Sequence, residues 1–145
     1  SHSIAVSTLS LMIARHIGWT SHPTLFKVAL GGLFHDIGKK DLDPLLIAKA
    51  KKDLTHNEVR ILESHTQRGV EILNTISTIP NEILQIVAHH HENCLGRGYP
   101  AGLKKSRIYP LARLISVADD FCNLTWFDEE QTKPTVLIKR MKDGG

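Results

Sequence analysis

Residues 55–73 read THNEVRILESHTQRGVEIL, and the first four letters decide what kind of element follows. A threonine whose hydroxyl can accept from the third backbone amide beyond it, with a glutamate at that third position to bond back, is a capping box, the signature of a helix start. Thr55 is then the N-cap and Glu58 the third helical residue. Val59, Leu62 and Val70 follow as core candidates, and the spacing predicts one helix running to about Leu73.

The same helical period extends outward in both directions. Residues 4–17, IAVSTLSLMIARHI, set Ile4, Leu9, Met12, Ile13 and Ile17 near one face, with Gly18 as a stop. A second helix begins after Pro23 and carries Leu25, Phe26, Val28, Ala29 and Leu33 up to His35, and a short one follows Pro44. PNEILQIVAHHHE starts at Pro80, a residue suited to a first helical turn, and ends near Glu92. PLARLISVADDFCNLT runs from Pro110, and a last helix is expected after Pro134, ending at Gly144 and Gly145. No alternating strand pattern and no internal repeat interrupts this series. The expected fold is all-α, a compact bundle of six or seven helices in a single domain spanning residues 1–145. The chain opens inside a helix at Ser1, so we expect it to be a piece of a longer protein.

Composition narrows the function. With 41% hydrophobic and 23% charged residues, the chain is an ordinary globular one rather than a disordered one. A net charge of +3 suits an anionic small molecule, and no basic arm calls for a nucleic acid polymer. The densest basic run, AKAKKD at 48–53, reads as a solvated helix end. Two cysteines imply no disulfide framework and fit a reducing cytoplasm. No apolar run is long enough to span a membrane, and no signal peptide is visible.

The chemistry lies in the nine histidines and their carboxylate neighbours. In GLFHDIGKK an apolar helix delivers His35 and Asp36 side by side just before a turn. Neutral imidazole nitrogen and carboxylate oxygen both bind first-row divalent ions. His2, His65, the pair His90 and His91, and Asp119 each fall on a different predicted helix or helix end. Side chains converging from several helices are how bundles build metal centres.

Five ordered motifs sharpen this: HDIGK at 35–39, ESHTQRG at 63–69, HHE at 90–92, GRGYP at 96–100 and ISVAD at 115–119. Together they resemble the HD-GYP family, a subgroup of the HD superfamily of metal-dependent phosphohydrolases. The resemblance implies an all-helical domain with two or three divalent metal ions, often iron or manganese. It also implies hydrolysis of the bacterial second messenger cyclic di-GMP to pGpG or GMP. Carried over by motif, His35, Asp36, His65, His90, His91 and Asp119 would be metal ligands, and His2 would match the family's upstream histidine. Asp36 would bridge, with His35 and Asp119 on one metal and His65, His90 and His91 on the other. Lys39 would face the substrate phosphate and strengthen as charge develops there. Gly96, Gly98, Tyr99 and Pro100 would form the shaped loop beside the metals, Tyr99 either packing that loop or meeting substrate or partner. A diguanylate cyclase or another signalling protein is the partner this loop would contact, and a receiver or sensor domain the expected attachment. His16, His22, His56 and His89 fall in no matching ligand position and read as structural.

Departures from the family pattern leave other readings open. Leu95 stands where the family's loop has Asp, and Cys122 where a second Asp follows the last metal ligand. Cys122 is read as a buried reduced thiol, or as a residue near the metals one helical turn from Asp119. After Thr125 the family's basic segment is replaced by WFDEEQ. By ungapped counting Asp128 takes the position of an arginine, with Lys133 as the substitute phosphate contact if the loop holds a gap. The family's additional upstream glutamate, associated with a third metal, would precede Ser1. An active cyclic di-GMP phosphodiesterase, a metal-keeping binding or signalling module with little catalysis, and a hydrolase of another nucleotide are the three candidates.

Overall fold

Local hydrogen-bond chemistry sets the helix starts. In the computed structural model, which describes residues 1–126, Thr55 Oγ1 accepts the Glu58 amide at 3.2 Å and Glu58 Oε2 accepts the Thr55 amide at 2.8 Å. Both halves of the capping box are therefore made, opening α4 (His56–Glu63). Ser21 caps α2 (His22–Phe34) through the Thr24 amide, and Asp43 caps α3 (Pro44–Ala48) through the Leu45 amide. The other helices are α1 (His2–His16), α5 (His65–Asn74), α6 (Asn81–His89) and α7 (Pro110–Trp126). Short 3-10 turns lie at Ile37–Asp41, Lys51–Asp53 and Lys105–Arg107. Extended pairing among the described residues is confined to an isolated bridge between Leu95 and Lys104, and the all-α expectation holds. The helix expected after Pro134, together with Asp128 and Lys133, lies outside the described residues.

Two expectations need correction. The single helix expected from Thr55 to Leu73 is two helices meeting at Ser64. The Ser64 hydroxyl donates to the Ile61 carbonyl at 2.6 Å, a back-bond that competes with regular helical pairing and bends helices. After the bend His65 is turned into the interior, with 1% of its surface exposed. The inner face of α1 also differs. Ile4, Met12 and Ile17 are exposed, and Val6, Ser7, Ser10 and Ala14 are buried. The reason is the close approach of α1 to α2, where a Cβ on Gly32 would stand 2.5 Å from the Ser7 Cα. Small side chains fit that contact and large ones do not. Phe26 and Leu33 of α2 are likewise exposed, while Val28 is fully buried.

The core is one cluster that includes Val6, Val28, Leu73, Ile83, Ile86, Val87, Ile115 and Ala118. α1 lies on α2 and α7, α6 lies on α5, α2 and α7, and α5 packs against the 3-10 turn that follows Asp36. That last contact is unusually tight. A Cβ on Gly38 would overlap the His65 carbonyl and stand 2.6 Å from the Gly69 amide nitrogen. The glycine pair lets HDIGK meet SHTQRG backbone to backbone, which sets Asp36 against His65.

Candidate metal centre

Three histidines enter the interior by one local device. His35 Nδ1 donates to the Gly32 carbonyl at 2.7 Å, His65 Nδ1 to Leu62 at 2.7 Å, and His90 Nδ1 to Val87 at 2.8 Å. A carbonyl can only accept, so Nδ1 carries a proton in each ring and Nε2 faces inward. This is the arrangement that orients metal-binding histidines. Each partner carbonyl lies three residues back, a contact available where a helix begins or ends.

The inward nitrogens gather around two carboxylates. Asp36 Oδ1 lies 3.3 Å from His65 Nε2 and 3.7 Å from His90 Nε2, while Oδ2 lies 3.5 Å from His35 Nε2 and 2.7 Å from Lys39 Nζ. Asp119 Oδ1 accepts from His2 Nε2 at 2.7 Å and from Asn123 Nδ2 at 3.1 Å, and stands 3.5 Å from His35 Nε2. Two ligand groups result: Asp36, His65, His90 and His91 in one, His2, His35 and Asp119 in the other. Within each group the candidate ligand atoms lie within 4.8 Å of one another. Asp36 stands between the two, with one oxygen turned to each.

The donor set fits divalent cations. His35 Nε2, Asp36 Oδ1 and His91 Nε2 are buried without a hydrogen-bond partner, a costly state unless something else satisfies them. His65 Nε2 and His90 Nε2 stand 3.4 Å apart, and with both protons on Nδ1 two lone pairs face each other. A cation between them removes the conflict.

Electrostatics divides the rings. Burial alone would lower the His35 pKa, but the Asp119 and Asp36 carboxylates, each 3.5 Å from its Nε2, outweigh it and raise the value to about 10. Burial lowers His65 to about 4, against the opposing pull of the Leu62 carbonyl and Asp36. Burial, then the neighbouring His90 and His65, lowers His91 to about 2. Burial works against ionisation of Asp36 and Asp119. Contacts with His35 and His90 for Asp36, and with His35 and His2 for Asp119, reverse it and hold both carboxyls well below their usual range.

All seven residues expected as ligands are thus brought together, with Lys39 beside Asp36. Tyr99 stacks on the His91 ring, centroids 4.8 Å apart at 22°, so it packs the loop onto the centre. His16, His22 and His56 are exposed, and His89 is half-buried outside both groups. Leu95 is exposed and Cys122 lies in the apolar core, where burial raises its pKa. Neither departure belongs to a ligand group. Two residues escaped the sequence reading. Glu92 is 4% exposed and its two oxygens accept the Ala101 and Leu103 amides at 2.7 and 2.8 Å, clamping the loop. Asn123 steadies Asp119 from one helical turn away. A carboxylate directly after two ligand histidines was the available signal for Glu92. Two surface clefts, near Trp19 and Lys27 and near Lys104 and Arg113, contain none of the candidate ligand residues.

Fold and site together define an all-helical histidine–aspartate domain built for divalent metal. The chain belongs to the HD domain family, whose profile matches residues 1–143. It is 35% identical over 125 residues to cyclic di-GMP phosphodiesterase PA4108 of Pseudomonas aeruginosa, covering 86% of this chain and 30% of that protein. Among solved structures, Bd1817, an HDG"Y"P protein from Bdellovibrio bacteriovorus, superposes with a TM-score of 0.83 at 26% identity, over 99% of this chain and 46% of that one. The HD domain of the L. monocytogenes phosphodiesterase PgpH, in complex with cyclic-di-AMP, superposes with a TM-score of 0.71 at 25% identity, over 99% and 77%. The chain spans about a third of the length of the curated relatives it matches. These relatives agree with the HD-GYP resemblance of the five motifs.

Proposed function

We propose that this domain is a metal-dependent phosphodiesterase that hydrolyses cyclic di-GMP to pGpG or GMP. The observation that carries the reading is Asp36, a carboxylate with one oxygen turned to each of two buried ligand groups. Asp36, His65, His90 and His91 would hold one ion, and His2, His35 and Asp119 the other, with Asp36 shared and iron or manganese the expected metals. When bound, such a pair supplies positive charge for the phosphate oxygens and makes water a competent nucleophile at neutral pH.

The chain's own residues do the rest. Carbonyl contacts at His35, His65 and His90 keep Nδ1 protonated and Nε2 aimed inward in each ring, and His35, whose pKa is raised, releases its Nε2 proton when a metal binds. Lys39, about a third exposed and held by Asp36, is placed to turn its ammonium to a nonbridging phosphate oxygen. Burial of the histidines excludes bulk water and strengthens each of these charge interactions. Leu95 is exposed and Cys122, though one helical turn from Asp119, is not in either ligand group, so both groups are complete without them, which favours catalysis over a binding-only module. The family's basic segment remains the departure that bears on substrate. By the ungapped count Asp128 stands there and opposes the substrate's charge; Lys133 is the substitute phosphate contact only if the loop holds a gap. A cytoplasmic location and a signalling-protein contact at the loop around Tyr99 belong to the same reading.

The test incubates protein loaded anaerobically with Fe²⁺ or Mn²⁺ with cyclic di-GMP, cyclic di-AMP, 3'3'-cGAMP and pGpG, and resolves the products. Cyclic di-GMP should be consumed fastest; turnover of none of them would overturn the assignment, and preference for another cyclic dinucleotide would correct the base specificity. Asp128→Arg should lower KM and Lys133→Ala should change it little if the ungapped count is right; the opposite pattern moves the phosphate contact to Lys133.

A further inference from the structure

His91 differs from the other inward histidines in how its ring is held. His35, His65 and His90 are each fixed by a carbonyl three residues back. His91 lies one residue past His90, the cap of α6, and among the described residues it has no such carbonyl partner. Its Nε2 is nonetheless buried and in the four-residue ligand group. A ring without a hydrogen bond to fix it needs another restraint if its lone pair is to stay aimed at a metal.

We propose that Tyr99 is the positioning residue for His91, its ring taking the place of the missing carbonyl bond, and that Glu92 latches the loop that carries Tyr99. This rests on the metal-centre reading above. The two rings lie nearly parallel at 4.8 Å, a geometry that blocks rotation of the imidazole out of its plane. The stack is closed by the backbone, because the Tyr99 amide donates to the His91 carbonyl at 3.1 Å. Gly98 makes that return fit: a Cβ there would overlap the His91 carbonyl and stand 2.6 Å from the Asn93 nitrogen. Beyond Tyr99 the loop is tied to Glu92, whose carboxylate accepts one amide from Ala101 and one from Leu103. Before Tyr99 it is tied to Asn93, whose Oδ1 accepts the Leu95 and Arg97 amides. The loop is thus anchored on both sides of the ring that covers His91, and the anchors are the two residues that follow His91 in sequence.

The experiment titrates metal-free protein with Mn²⁺ alone by calorimetry. Two equivalents should bind to the unaltered chain. Tyr99→Phe keeps the ring and should bind both as before. Tyr99→Leu should weaken one equivalent about 10- to 100-fold, the range for removing a ligand's supporting contact, and leave the other unchanged. In a His91→Ala background the same Tyr99→Leu change should add nothing, because Tyr99 acts through His91. A residue that merely supports the fold would weaken binding in both backgrounds. Glu92→Gln, which keeps one of two acceptor oxygens, is the second variant and should weaken the same equivalent alone. Unaltered affinity in both Tyr99→Leu and Glu92→Gln, an equal loss of both equivalents, or a loss that persists without His91 overturns the proposal. Failure of the unaltered chain to bind any Mn²⁺ would instead overturn the metal centre itself, and appears before any variant is made.

Discussion

Among the described residues, Asp36 has no substitute, because it alone of them presents oxygens to both ligand groups. An amide is a much poorer metal ligand than a carboxylate. Asp36→Asn should therefore abolish hydrolysis and weaken metal binding, whereas His89→Ala, outside both groups, should leave each nearly intact. Equal losses in the two variants would show that the histidine run has been misassigned. A pH test follows from the rings. His35 rises from 6.5 to about 10 on folding, so between those values the folded state holds more protons than the unfolded one and stability falls as pH rises. His65 and His91 fall to about 4 and about 2, so below pH 6.5 the unfolded state takes up protons that these rings refuse, and stability falls as pH drops. The depressed carboxyls act in the same acid direction at lower pH. The thermal midpoint of metal-free protein should peak near pH 6.5, and a midpoint that climbs from there to pH 9.5 would contradict the His35 assignment.

Between elements, the contact of the 3-10 turn at Ile37–Asp41 with α5 sets the site, and it depends on Gly38 and Gly69. An added methyl at Gly38 meets backbone of His65 and Gly69, which cannot yield without separating Asp36 from His65. At Gly69 it meets a Val87 methyl at 2.7 Å, which can shift. Gly38→Ala should cost roughly 1–3 kcal/mol and most metal affinity, with a smaller loss for Gly69→Ala. Thr55→Ala is the contrasting case: it should cost about 0.5–2 kcal/mol without touching metal binding, since α4 has no fully buried residue. Denaturant melts beside Mn²⁺ titrations distinguish the two patterns. Helix starts, and the histidines and aspartates that gather in the two groups, were legible because caps and motif residues act locally. The bend at Ser64 and the inner face of α1 were not. A serine within a periodic run looks like any polar helix position, and the Ser7–Gly32 approach that turns small residues inward joins segments 25 residues apart. Apolar size predicted Ile4 and Met12 inside; packing distance placed Val6 and Ala14 there instead. Glu92 escaped for a related reason, since the amides it clamps come 9 and 11 residues later in a loop with no periodicity.

On the scale of the whole molecule, the buried unpaired atoms of the centre are a stability cost that metal should remove. The ligand groups draw on α1, α5 and α7, on His35 at the end of α2, and on the chain just beyond α6, so an ion held there ties together most of the bundle. A ligand that binds only the folded state stabilises it by about 2.7 kcal/mol at 100 times its dissociation constant. Two such ions would add about 5 kcal/mol if they act independently. At about 2–4 °C per kcal/mol, the scale for domains of roughly 150 residues or more, the thermal midpoint should rise by about 10–20 °C on loading. Chelation should reverse the rise. His2→Ala removes a ligand from one group only, so it should forfeit about half of the shift while keeping the remainder. A full shift in His2→Ala would remove His2 from the ligand set, and no shift in the unaltered protein would mean that the cluster is held together by its ion pairs alone.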